Sequence, residues 1–194
     1  MRFFAENIEQ SKSIIGYRIG VLQHSSWKDA GGIWFTDDTV SAVVFYLGCR
    51  FMLGKDVALK IFKCKLDFKN SYIFESFYGR QNNSYLGYEM NYGANRSKIM
   101  EDFQTKGYDS VIINESEWWQ VYLPETEQYV AFDIKQVKIL NQWKINFNNH
   151  LYYDSDDEFN YGTPRQIEER NADIVDVLER YEVDVNPKYW SKYL

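Results

Sequence analysis

Residues 106–140 read KGYDSVIINESEWWQVYLPETEQYVAFDIKQVKIL, and this stretch decides the fold class. Lys106 and Gly107 close a helix, with the glycine in the C′ place where a left-handed backbone is needed. Upstream, residues 95–106 have helical spacing, with Asn95 as cap and Ile99, Met100 and Phe103 on the apolar face. Four strand-like runs come next at residues 108–113, 118–123, 129–132 and 137–145, the second closed by Pro124. Strands that succeed one another after a helix, without regular alternation, point to an α+β domain rather than a doubly wound sheet.

Working outward, residues 24–46 read HSSWKDAGGIWFTDDTVSAVVFY. They contain a His at a strand end, a glycine pair, a short strand at Ile33, Trp34 and Phe35, and then a helix to about Leu47. Thr36 or Asp37 is placed to cap that helix, and Val40, Val43, Val44 and Leu47 share one face. Residues 14–23 (IIGYRIGVLQ) are rich in β-formers. Residues 57–68 (VALKIFKCKLDF) alternate apolar side chains with Lys60, Lys63 and Lys65, as a half-buried strand does. Residues 1–13 read as a short helix or arm, and the Tyr- and Asn-rich residues 75–95 as a long loop. Residues 154–158 (DSDDE) read as a solvated linker. Thr163 and Gln166 have capping-box spacing around Pro164, opening a last helix with Ile167, Ile174, Leu178 and Tyr181 as its stripe. The expected organisation is a body over residues 1–148, then an acidic linker plus C-terminal helix over residues 149–194. That helix docks on the body or on a partner.

Composition narrows the classes. At 45% hydrophobic and 26% charged residues, the chain is ordinary globular protein, which excludes disordered and fibrous classes for most of it. A net charge of −6 makes it a poor nonspecific binder of nucleic acid or anionic membrane. Cys49, Cys64, His24 and His150 are too few and too scattered for a spaced zinc site. The longest uncharged run near residues 39–49 falls far short of the roughly 20 residues a membrane helix needs. The expectation is a soluble, cytoplasmic protein with no membrane partner.

Four segments, in order, resemble the ADP-ribosyltransferase fold on its diphtheria-toxin and poly(ADP-ribose) polymerase side, and most of all its small bacterial and phage-encoded members. They are His24-Ser25-Ser26, Gly32-Ile33-Trp34-Phe35-Thr36-Asp37-Asp38, Gly107-Tyr108-Asp109-Ser110-Val111-Ile112 and Gln128-Tyr129-Val130-Ala131-Phe132-Asp133. In that family an H-G-S or H-G-T motif ends the first core strand. A G-I-Y-F-T-D-D strand-to-helix segment comes after it, with an aromatic further along the helix. A late G-Y-D-G-V-I strand then precedes an E-Y-V-V-F-D-x-x-Q-I strand bearing the catalytic Glu. The likeness spans about residues 14–140. It implies a split β-sheet core with flanking helices and a C-terminal helical extension. The implied activity is NAD-dependent transfer of ADP-ribose (a glycosyl transfer) to a macromolecular acceptor, in a toxin-like bacterial or phage conflict setting. The acceptor is a protein in the first place, with nucleic acid left open.

The chemistry of such a site is simple to state. As nicotinamide leaves, positive charge develops at the ribose carbon, and a carboxylate near the ribose 2′-OH stabilises it. A flat aromatic face stacks on the nicotinamide ring. The resemblance places His24, Ser25, Ser26, Phe35, Phe45 and Tyr46 in NAD binding, with Phe45 as the stacking ring or Tyr46 one place on, and requires no metal. It places Glu127 and Gln128 in catalysis. The family's catalytic Glu falls on Gln128, and Glu127 precedes it. Neighbours in a strand point to opposite faces, so Glu127 acts only if a bulge or a shifted register turns it inward. Glu125-Thr126-Glu127 also forms the E-x-E spacing of arginine-modifying transferases. Plain readings stand beside these: a strand-end His24, core aromatics at Phe45 and Tyr46, solvated hairpin charges at Glu125 and Glu127, and an exposed Arg18 or one that contacts phosphate. Two further functions stay open, an inactive relative that binds NAD or an ADP-ribose-like nucleotide, and a protein-interaction module.

Overall fold

The computed structural model describes residues 10–20, 22, 32–48, 56–74, 96–116, 126–148 and 164–194. In chain order the elements are β1 (Gln10–Ile19), β2 (Ile33–Thr36), α1 (Thr39–Gly48), β3 (Asp56–Phe74), α2 (Arg96–Thr105), β4 (Ser110–Ser116) and β5 (Thr126–Ala131). A 3₁₀ turn (Ile134–Gln136), β6 (Val137–Asn148), α3 (Pro164–Arg180) and α4 (Pro187–Trp190) complete the order. The architecture is α+β with a mixed six-stranded sheet. No helix among the described residues is long and apolar enough to cross a membrane.

The sheet owes its form to β3. This strand runs for 19 residues and carries three neighbours: β1 and β6 antiparallel, and β4 parallel at its C-terminal end. The pairings β1–β2, β2–β5, β5–β4, β4–β3 and β3–β1 close on themselves, so five strands form a ring of hydrogen-bonded neighbours with β6 added along β3. The buried side chains of β3 change face midway. Leu59 and Ile61 pack with α1, α3 and α4 in one apolar cluster, whereas Phe62, Cys64, Leu66 and Phe68 belong to a second cluster with Ile33, Phe35 and Tyr129. A third cluster joins Ile99 and Phe103 of α2 to Val111, Ile113 and Val130.

Several boundaries differ from the sequence reading. The first strand starts at Gln10, and β3 continues to Phe74, because its last residues gain β4 as a parallel partner. β5 starts at Thr126, so Glu127 and Gln128 lie inside a strand. In α3, Ile167, Ile174 and Leu178 are buried as expected, joined by Asn171 and Val175, but Tyr181 is exposed because the helix ends at Arg180. Met100 and its helix partners are buried as read, and Gly107 has the positive φ of a C′ residue. Residues 75–95, 118–123 and 154–158, together with Thr163, lie outside the described residues.

The C-terminal helix packs on the body, and the chain then doubles back. Glu182 adopts a positive φ, and the Val183 N–H reaches the Leu178 carbonyl at 2.9 Å. This reversal sends residues 183–190 across the end of β2 toward a second short helix, α4, which Asn186 caps and whose Trp190 is buried. The sequence reading contained no such helix.

Gly32, at the entrance to β2, has φ +114°, and a Cβ there would sit 2.6 Å from Val130 Cγ1 and 2.8 Å from the Ala131 carbonyl. Both contacts involve β5, so nothing flexible can give way. Gly32→Ala should therefore lower stability by about 2–3 kcal/mol or more in denaturant titration. A loss under about 0.5 kcal/mol would show that β2 and β5 separate easily.

Candidate functional site

The strand-to-helix junction after β2 is built around two adjacent carboxylates with different jobs. Asp38 is fully buried. Its Oδ2 accepts the Ser41 N–H at 2.7 Å and the Ser41 hydroxyl at 2.6 Å, which makes Asp38 the cap of α1 in place of the expected Thr36 or Asp37. Its Oδ1 accepts the Trp190 indole N–H at 2.9 Å. Burial pushes the Asp38 carboxyl up, against the hydrogen bonds from Ser41 and Trp190 that favour its charge.

Asp37 instead extends the β2–β5 ladder by one rung beyond Thr36 and Gln128. Its N–H donates to the Glu127 carbonyl at 3.1 Å, and its Oδ1 accepts the Glu127 N–H at 3.0 Å. Its Oδ2 accepts the Tyr189 hydroxyl at 2.6 Å. Burial first, and then the charges of Glu127 and Asp38, push the Asp37 carboxyl up to about 6, while Tyr189 and Lys188 hold it down.

Along β5 the alternation is plain. Glu127 shares a face with Tyr129, whose hydroxyl donates to Glu127 Oε2 at 2.6 Å. Gln128 lies on the other face with Val130 and is 7% exposed, between Thr36 of β2 and Ile113 of β4. The β4–β5 register is irregular between Ile113 and Ser116, opposite Gln128 and Thr126. The extra residue therefore belongs to β4, and β5 has no bulge that brings Glu127 to the face of Gln128. The two phenols that bond the carboxylates, Tyr129 and Tyr189, are pushed well above the ordinary tyrosine range, by burial first and then by the carboxylates themselves. They stay protonated donors.

Other expected residues fall in varied places. His24, Ser25, Ser26 and Glu125 lie outside the described residues, as does the side chain of Phe45. Phe35 is 3% exposed and pairs directly opposite Tyr129 inside the second apolar cluster. It is a core side chain, and Gly16 across from it has no room for a Cβ, which would stand 2.9 Å from Phe35 Cβ. Tyr46 is half-buried on α1, and its ring edge lies 3.4 Å from where a Gly20 Cβ would be, over the end of β1. Arg18 is part-buried, and its Nη1 donates to the Trp34 carbonyl at 3.0 Å, tying β1 to β2.

The D-x-x-Q pattern after β5 has a local job. Gln136 Oε1 accepts the N–H groups of Phe132 and Asp133, and Asp133 Oδ1 accepts that of Lys135, a capping box that turns β5 into β6. Sequence reasoning missed Tyr129, Tyr189 and Trp190 as members of the junction. Tyr129 was findable, since it stands two places from Glu127 in a strand. Tyr189 reaches Asp37 across 152 positions, and no local pattern signals that contact. No family model, curated protein or solved structure matches the chain.

A carboxyl raised in the folded state binds its proton more tightly there than in the unfolded chain. Asp37 therefore adds stability below about pH 4 and loses it as pH rises toward about 6. Compared by thermal midpoint, the wild-type chain should lose ground to Asp37→Asn between those limits and hold a constant difference above them. A wild-type chain that gains on the variant over that range would show that Asp37 is stabilised as the anion.

Proposed function

We propose that the chain transfers ADP-ribose from NAD to a macromolecular acceptor, a protein in the first place. The observation that supports this reading is the convergence of three of the four resembling segments. Asp37 and Glu127, 90 positions apart, are hydrogen-bonded neighbours, and β4, which carries the third segment, pairs along the other edge of β5. Three of the four resembling segments thus lie in one contiguous region of the sheet, and the fourth, His24-Ser25-Ser26, lies outside the described residues.

The side chains at this region suit such a substrate. Glu127 and Asp37 accept hydroxyl hydrogen bonds, as both do from tyrosine. Gln128 offers a carboxamide with donor and acceptor. Tyr46 offers a half-buried ring at the end of β1. NAD supplies an N-glycosidic bond whose cleavage builds positive charge at the ribose carbon. β5 has no bulge that turns Glu127 to the face of Gln128, so on the transferase reading the ribose binds on the Glu127 face, where the Glu127 carboxylate, held by Tyr129 and by the backbone rung to Asp37, meets that charge. The bacterial or phage conflict setting rests on the resemblance.

Gln128 favours a second reading, an NAD-binding protein without transfer. It occupies the position of the family's catalytic Glu, is buried, and faces away from Glu127. A carboxamide bonds a ribose hydroxyl but supplies no charge.

Incubation with labelled NAD and a cell lysate separates the two. On the transferase reading, label moves to a protein band with release of nicotinamide, and Glu127→Gln lowers the rate by about 10²–10³ while NAD still binds. On the binding reading the wild type holds NAD without turnover, and Gln128→Glu creates turnover. A chain that neither binds nor consumes NAD would remove both readings.

A further inference from the structure

We propose that Tyr189 is a positioning residue of the candidate site: the phenol brought by the C-terminal segment holds the Asp37 carboxylate beside Glu127. The inference rests on the proposed NAD-binding function.

The segment is fixed on both sides of Tyr189 by contacts independent of the phenol. Before it, the Asp184 carbonyl accepts the Thr39 hydroxyl, and its carboxylate meets Lys63 Nζ at 2.8 Å. Asn186 Nδ2 donates to the Asp37 carbonyl at 3.3 Å. After it, Trp190 is 2% exposed in the core and bonded to Asp38. Anchoring is therefore the work of Trp190 and Asp184. The ring of Tyr189 is only half-buried, and its hydroxyl lies on a carboxylate rather than in the core.

The titratable and charged groups facing Asp37 come from every element around it. Glu127 and Tyr129 come from β5, Asp38 from the cap of α1, Tyr17 from β1, and Lys188 with Tyr189 from α4. The neighbouring carboxylates oppose the charge on Asp37. A hydroxyl donating to the carboxylate favours it. Because Asp37 Oδ1 also holds the Glu127 N–H, its protonation is felt at the start of β5, where Glu127 is set. The phenol thus acts on Glu127 through Asp37.

Tyr189→Phe keeps the ring and removes only the hydroxyl. Two readouts on the full chain test the role: the carboxyl ¹³C titration of Asp37, and NAD affinity by calorimetry between about pH 5 and 8. The expected result is that the Asp37 midpoint rises by about half to one pH unit and the acid limb of NAD affinity rises with it. In the Asp37→Asn background, Tyr189→Phe should leave the affinity profile where it is. A merely structural tyrosine would lower the thermal midpoint with both profiles unmoved, which would overturn the proposal. An Asp37 midpoint that moves while the affinity profile stays would overturn it too. A wild-type chain that binds no NAD at any pH would instead overturn the functional reading, and the site role of Tyr189 with it.

Discussion

The Asp38 carboxylate is the interaction on which the rest of the molecule hangs. It is fully buried, and an ionised carboxylate in that position is tolerable only if its oxygens are bonded. Both are, by groups from two distant parts of the chain. The Ser41 N–H and hydroxyl make it the cap of α1, and the Trp190 indole makes it the seat of the C-terminal segment. Removing either partner would leave a buried acceptor short of a donor, at about 1–3 kcal/mol. One side chain therefore ends β2, starts α1 and fixes where residues 183–190 lie.

Two neighbouring acids divide the labour at this junction. Asp38 is used up by structure. Asp37, one residue earlier, points to the half-buried side and shares its environment with Glu127, Tyr129 and Tyr189. The ring of strands creates this arrangement. Because β2 is short and pairs with β5 along its whole length, its end runs directly past the start of β5, and a single extra rung places Asp37 against Glu127. The long β3 supports the pair from the far side by supplying core to both faces of the sheet in turn.

Much of the local structure was legible in the residues. Val40, Val43 and Val44 lie buried on α1, and Ile99, Met100 and Phe103 on α2, because helical spacing of apolar residues reports the buried face wherever the helix packs on only one side. Gly107 was readable as a helix stop, since glycine alone takes its positive φ cheaply. The cap of α1 falls one residue beyond the expected pair. Thr36, Asp37 and Asp38 are all competent caps locally, and the choice fell to Asp38 because it alone also meets Trp190. The helical period of α3 continues through Tyr181, but Glu182 turns the chain just beyond, and Tyr181 is left at the surface.

The sequence by itself determined the central parts of most strands, the helices α1 to α3, and which of their faces are apolar. Those properties stem from short-range sterics and from a period of two or 3.6, which every residue carries with it. Only the tertiary structure decided that Asp37 stands against Glu127, that no bulge falls on β5, and that Tyr189 and Trp190 return to the junction. These contacts span 90 to 152 positions. Each is worth little alone and forms only because strand pairing and core burial have already brought its partners together, so no local pattern can encode it.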